Sequence, residues 1–155
     1  MRRRLRFALW ELALVAAGAV PGALLRWQLG VQIGPLLAAG AGGVAAANLL
    51  SNLLGSFLLG ILAGPIPRRA PLLLLGGIGF CGSLTTFSSW MLDLVRLNGQ
   101  GQAAEALTLL IASLGIGVAA AAAGLATSRR LLPRLVAWVR FRRGLRPPGP
   151  LRSRR

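Results

Sequence analysis

PLLLLGGIGFCGSLTTFSSWMLDLV, residues 71–95, is an apolar segment whose middle is unlike that of an ordinary membrane helix. Its length suits a helix that crosses the roughly 30 Å hydrocarbon core of a bilayer, which takes about 20 apolar residues. The middle, however, holds four glycines followed by a cluster of hydroxyl side chains, and glycine is a poor helix former. Backbone that leaves the helix at such depth is tolerated only inside protein or along a polar cavity. We therefore predict a third transmembrane helix that is broken near its centre, with close helix packing through small residues as the other reading.

Three further apolar runs surround this segment, at about 7–27, 44–63 and 103–127. Apolar residues make up 55% of the chain's 155 residues and are continuous within these runs. A soluble domain would alternate polar and apolar residues along each element, and the strands of a membrane barrel would alternate with a period of two. The sequence therefore predicts an all-α membrane protein with four transmembrane helices, a transmembrane domain at 1–127, and a location in the cell membrane.

The charged residues lie almost wholly outside the apolar runs. Eighteen arginines and no lysine stand against three acids, which gives a net charge of +15. Such placement is typical of membrane flanks, so we expect membrane lipid rather than nucleic acid as the partner of this charge. In the tail, residues 128–155, we predict a short amphipathic helix on the membrane surface at 129–143 and a disordered end at 144–155.

The distribution of arginine also predicts the orientation of the chain. With four helices, both termini and the loop between the second and third helices lie on one side of the membrane. Because positive loops stay in the cytoplasm, we expect both termini to be mainly cytoplasmic. The opposite side carries two arginines, Arg26 and Arg96. The termini and their loop carry six before the tail is counted: Arg2, Arg3, Arg4, Arg6, Arg68 and Arg69.

Polar side chains follow one face of the second helix. Asn48, Asn52 and Ser56 are spaced four residues apart, which places them on the same side. Such a stripe either binds helices together or lines a wet path, and the helix alone leaves both open. No carboxylate is expected near the middle of a span, which argues against cation or proton-coupled transport. Amide and hydroxyl donors, with the positive edge of the Phe87 ring, favour a small anion instead.

Three motifs resemble those of the CrcB/Fluc fluoride channels. NLLGSFLLG at 52–60 is similar to their second-helix motif, and GFCGSLTTFS at 79–88 is similar to their third-helix motif. GALLR at 22–26 resembles the end of their first helix. The resemblance covers about residues 10–127 and implies a fluoride-selective channel that passively exports fluoride and relieves its toxicity.

The resemblance also implies roles for individual residues in the fluoride path. Asn52 would donate a hydrogen bond to fluoride, and Phe87 would offer its ring edge. Thr86 would belong to a track of hydroxyl groups, which Ser113 of the fourth helix would continue. Trp90 would line the pore in the place of a second phenylalanine.

An antiparallel dimer with two narrow pores is implied as well, each pore lined by both subunits. The backbone carbonyls of Gly82 and Thr85 would bind a structural sodium ion on the dimer axis. Homodimers that insert both ways need nearly balanced flanking charge, and the arginine bias of this chain is strong. We therefore expect either a homodimer or an antiparallel heterodimer with an oppositely oriented paralogue.

Three positions depart from the family pattern. The second pore aromatic is Trp90, whose indole is larger than a phenyl ring. The threonine expected four residues before Asn52 is Asn48, and the tyrosine expected four residues before Ser113 is Leu109. Leu109 removes a hydroxyl from that end of the track, and the larger indole of Trp90 adds bulk to the path.

The alternative function is a small multidrug-type exporter that exchanges protons for a cation. Such a transporter needs a central carboxylate, and Glu11 lies only about one turn inside the first helix, where a charge costs less. We do not expect an enzyme, because the chain has no histidine and, without lysine, no serine–lysine pair.

Overall fold

The structure is a computed structural model that describes residues 2–38, 40–66 and 69–142. Within these ranges the chain is helical apart from short connections, and none of the described residues forms a β-strand. Two segments have the wider π-helical winding, Leu29–Ile33 and Leu73–Cys81. The α-helices are α1 (Arg2–Gln28), α2 (Gly34–Leu37), α3 (Gly40–Leu62), α4 (Arg69–Leu72), α5 (Gly82–Leu84), α6 (Ser88–Gly99) and α7 (Ala103–Arg142).

Four helical stretches are long and apolar enough to cross a membrane. They are the first span Arg3–Leu37, the second span Gly42–Leu62, the third span Ala70–Gly99 and the fourth span Ala103–Leu131. Large apolar side chains are exposed along them, as for Leu12, which is 63% exposed. The predicted all-α architecture with four spans is therefore confirmed, and the chain is a multi-pass membrane protein.

Helix boundaries differ from those expected at the first and second helices. The first helix was expected to end near residue 27, but helical winding continues through the π-helical turn to Leu37. Much of the glycine-rich stretch at 30–43 is therefore helical. Ala38, which is extended with φ −162° and ψ 162°, separates it from α3.

The fourth helix is much longer than its apolar run. It was expected to end near residue 127, with a separate surface helix from 129, but α7 continues without interruption to Arg142. The leucines and arginines that follow residue 128 are good helix formers, and Pro133 lies inside the helix without ending it. At about 1.5 Å per residue, this helix is roughly twice as long as a bilayer core is thick. The predicted disordered end at 144–155 lies outside the described residues.

The third span changes winding along its length. After α4 it runs through the π-helical segment into α5, which ends at Leu84. Thr85 is extended, with φ −79° and ψ 152°, and α6 begins at Ser88. Residues 85–87 therefore form a non-helical connection between α5 and α6.

Glycines let the spans approach closely in two pairs. The first span packs on the third, where a Cβ at Gly22 would meet the Phe80 carbonyl. The second span packs on the fourth, where a Cβ at Gly124 would meet the Phe57 carbonyl. Such backbone contact through small residues is the usual way in which membrane helices pack without a hydrophobic driving force. The third span also contacts the second near Gly55, against the Thr85 side chain.

Candidate functional site

A cavity of about 490 Å³ lies between the second, third and fourth spans. Its wall includes the connection between α5 and α6, so that residues from three spans meet there. The sequence of any one span does not predict this cavity, because its position depends on how the spans pack. The lining residues are Asn52, Gly55, Ser56, Leu59, Gly77, Cys81, Gly82, Thr85, Thr86, Phe87, Trp90, Ser113, Leu114, Gly117, Val118 and Ala121.

The Asn52 side chain joins α3 to the connection between α5 and α6. Its Nδ2 donates to the Thr86 carbonyl at 3.0 Å, and its Oδ1 accepts from the Thr86 backbone N–H at 2.7 Å. The amide thus replaces two hydrogen bonds that a continuous helix would form within itself. A carboxamide nitrogen carries two N–H groups, so one remains for a ligand in the cavity.

Two backbone amides, those of Thr86 and Ser89, are diverted from their helical acceptors at this point. In a continuous helix the Thr86 N–H would donate to the Gly82 carbonyl, but it donates to Asn52. The Ser89 N–H would donate to the Thr85 carbonyl, but it donates to Thr86 Oγ1 at 3.3 Å. The carbonyls of Gly82 and Thr85 are therefore released from these donors beside the cavity. Carbonyl oxygens suit hard cations such as sodium, so the chemistry of these two acceptors is compatible with a small cation.

Hydrogen-bond donors without partners lie on the cavity wall. Ser113 Oγ and Trp90 Nε1 are buried, and neither has a hydrogen-bond partner within the part of the chain that the structure describes. Phe87 and Trp90 are neighbours, with ring centroids 5.6 Å apart and planes inclined by 58°. Phe87 is 71% exposed, whereas Trp90 is 8% exposed. Buried polar groups are normally satisfied, so a ligand in the cavity would supply the partner that these two donors lack; a third such atom, Ser128 Oγ, belongs to a residue that does not line the cavity.

All seven residues that the resemblance assigns to fluoride or sodium line this one cavity. Their roles remain predictions, because geometry places them together without showing an ion. Ser56 also lines it, whereas Asn48, the third member of the polar stripe, is not among the lining residues. The seven are Asn52, Gly82, Thr85, Thr86, Phe87, Trp90 and Ser113.

Asn48 instead belongs to a polar cluster that sequence reasoning missed. Its Nδ2 donates to Asp93 Oδ2 at 3.4 Å, and Asp93 also pairs with Arg96 at 3.8 Å. The Asp93 side chain is 10% exposed and that of Arg96 is 54% exposed. The spacing of an acid and an arginine three residues apart near the end of an apolar run could have indicated the pair. It could not have indicated the contact with α3.

A second contact was also missed, at the other side of the third span. Arg26 Nε donates to the Ser83 carbonyl at 3.2 Å. Glu11, the acid that the alternative function requires, is not among the lining residues of the cavity. No cluster of three or more His, Cys, Asp or Glu side chains occurs within residues 2–38, 40–66 and 69–142.

Comparison with known proteins places the chain in a family. A family model described as CrcB-like protein, Camphor Resistance (CrcB), matches residues 13–125. The chain belongs to the CrcB-like family. A similar protein, fluoride-specific ion channel FluC 2 of Parasynechococcus marenigrum (strain WH8102), is 52% identical over 130 residues, which are 83% of this chain and 89% of the relative.

Two relatives of this CrcB-like chain come from one organism, Prochlorococcus marinus (strain MIT 9313). The protein named fluoride-specific ion channel FluC 2 is 43% identical over 114 residues, 74% of this chain and 78% of the relative. The protein named fluoride-specific ion channel FluC 1 is 35% identical over 121 residues, 76% of this chain and 92% of the relative. That organism therefore encodes two paralogues.

Proposed function

We propose that this chain is a fluoride-selective channel that passively exports fluoride across the cell membrane and relieves fluoride toxicity. Membership of the CrcB-like family and relatives named fluoride-specific ion channels support the proposal. The observation that carries it is the cavity itself, where the Asn52 amide stands beside the orphan donors Ser113 Oγ and Trp90 Nε1. No carboxylate is among its lining residues.

These groups suit the energetics of a small anion. Fluoride is strongly hydrated, so a narrow path must replace its water with several donors. The second N–H of Asn52, the Ser113 hydroxyl and the Trp90 indole N–H can each donate to an anion. The Phe87 ring presents a positive edge. The Thr86 hydroxyl donates to Ser89 Oγ at 3.1 Å and extends the polar track.

The working channel in this proposal is an antiparallel dimer, with the third span broken near the bilayer centre. Phe87 is largely exposed in the single chain, so that its ring is available to a second subunit. The partner is either another copy or an oppositely oriented paralogue. The uneven distribution of arginine and the occurrence of two paralogues in a relative's organism favour the paralogue.

Sodium at the dimer axis is the structural ion of the proposal. The carbonyls of Gly82 and Thr85 would hold it, because the N–H groups of Thr86 and Ser89 donate elsewhere. Two such carbonyls from each subunit would give an all-oxygen ligand set, which hard cations prefer. When bound, the ion would supply positive charge beside the connection between α5 and α6.

A liposome experiment distinguishes the proposed channel from the alternative, a proton-coupled cation exporter. Fluoride-loaded liposomes containing the purified chain are placed in fluoride-free buffer at equal pH, with a potassium ionophore to balance charge. A passive channel releases fluoride without a pH gradient, and protein-free liposomes do not. A drug-stimulated proton flux that disappears in Glu11→Gln, without any release of fluoride, would support the exporter instead.

A further inference from the structure

We propose that Arg26 is a positioning residue of the pore, which acts by donating a hydrogen bond from Nε to the Ser83 carbonyl. The bond caps the end of α5 and fixes the connection that presents Thr86 and Phe87 to the cavity. The inference rests on the proposed function for its effect on flux. Its effect on the local backbone is independent of that function.

The packing of the first span explains why Arg26 reaches this point. Gly18, Gly22 and Arg26 are spaced four residues apart and share one face of α1. A Cβ at Gly18 would meet the Leu75 carbonyl, and one at Gly22 would meet the Phe80 carbonyl. The two glycines therefore bring α1 against the third span, and the next residue on this face contacts the Ser83 carbonyl.

The contact gives the Ser83 carbonyl a donor at the end of α5. In a continuous helix the Ser83 carbonyl would accept from the N–H four residues later, but α5 ends at Leu84. Helix ends leave carbonyls that need other donors, and a cation at a helix C-terminus is also favoured by the helix dipole. Arg26 supplies that donor from the first span.

Arg26 and Asn52 therefore hold the connection from opposite sides. Asn52 engages the N–H and the carbonyl of Thr86 from the second span. Arg26 engages the Ser83 carbonyl, which lies between the released carbonyls of Gly82 and Thr85. Loss of either contact loosens the connection, so that the backbone amides of 82–90 open more often and the Gly82 and Thr85 carbonyls are no longer held in place.

Three substitutions separate this role from simple attraction of anions by positive charge. Arg26→Gln keeps an N–H donor at the bond position of Nε but removes the charge. Arg26→Met removes both, and Arg26→Lys keeps the charge with a donor one atom further out. Arg6→Met, at an exposed arginine on the same helix, is the matched control.

The measurements are fluoride efflux from liposomes containing the full chain and amide hydrogen exchange of the peptide covering 82–90. We expect Arg26→Met to lower efflux by about tenfold or more, equivalent to about 1.4 kcal/mol, and to speed exchange in that peptide. Arg26→Gln and Arg26→Lys should keep most of the fluoride efflux and most of the protection from amide exchange. The control should match the parent.

Two outcomes would overturn the inference. Equal losses of efflux in Arg26→Gln and Arg26→Met, with normal Arg26→Lys and unchanged exchange, would show that charge alone matters. Unchanged amide exchange at 82–90 in Arg26→Met would also overturn the inference, whatever the fluoride efflux of that variant. If the parent chain alone passes no fluoride, it is not a homodimeric fluoride channel, and the exchange experiment still tests the contact in the parent fold. Where Arg26→Met fails to assemble, the exchange and flux of the folded Arg26→Gln and Arg26→Lys proteins decide.

Discussion

Asn52→Ala is the substitution whose consequences follow most directly from the geometry. It removes the donor to the Thr86 carbonyl and the acceptor for the Thr86 N–H, at 3.0 and 2.7 Å. A hydrogen bond contributes about 1 kcal/mol net, and a buried partner left unsatisfied costs about 1–3 kcal/mol. Because the cavity gives these groups some access to water, we expect a total loss of stability of about 2 kcal/mol.

Asn52→Ala should also reduce conduction, because it removes a donor to the fluoride ion. A hydrogen bond to a charged group contributes about 1.5–3 kcal/mol. Because each 1.4 kcal/mol corresponds to a factor of ten, we expect fluoride efflux to fall by about ten- to a hundredfold. The assay is fluoride release from liposomes, beside size-exclusion profiles that report assembly.

A matched control for Asn52→Ala is available one residue away. Ser51 is 1% exposed, and its hydroxyl donates to the Ala47 carbonyl of its own helix at 2.8 Å. Ser51→Ala therefore removes a buried polar group of the second span without touching the connection in the third. Normal efflux from an assembled Asn52→Ala protein would refute the donor role. Equal losses in the two variants would assign the effect to helix packing.

Three further predictions concern the aromatic pair, the packing and the orientation. Phe87→Ala should lower fluoride efflux in an assembled protein, whereas Trp90→Phe should conduct at least as well as the parent; unchanged efflux in Trp90→Ala would place that ring outside the path. Gly124→Val should destabilise the protein by about 1–3 kcal/mol in thermal unfolding, because the new side chain meets the Phe57 carbonyl; stability equal to that of Gly115→Val, where no neighbouring atom lies within 4 Å, would contradict the packing account. A cysteine at the C-terminus should label mainly from the cytoplasm, and equal labelling from both sides would support the homodimer over the paralogue pair.

Sequence reasoning found the four spans because continuous apolar runs are a strong and local signal. It failed at the end of the fourth helix for a related reason. The continuous apolar run ends near residue 128, but the residues that follow still favour a helix, and α7 continues to Arg142. Hydropathy predicts which part of a helix can lie in lipid. The end of the helix is determined by helix propensity and packing instead.

The cavity was only partly predictable. The unusual composition of 76–90 pointed to a special backbone, and the motifs contain five of the seven residues that meet there. The other two, Trp90 and Ser113, lie outside the motifs and came from the wider resemblance. Contacts between spans were not predictable in the same way, because they depend on the register between two helices. The Arg26–Ser83 contact follows from the close approach at Gly18 and Gly22. The Asn48–Asp93 contact follows from the packing of α3 beside α6.

The ratio of fluoride to chloride permeability is the sharpest test of the proposed fluoride selectivity. It is measured on the purified chain in planar bilayers or liposomes, with the two anions present at equal concentration on opposite sides. The donor-lined cavity predicts a large fluoride current and no measurable chloride current, with no requirement for a proton gradient. Comparable currents for the two anions would contradict the account.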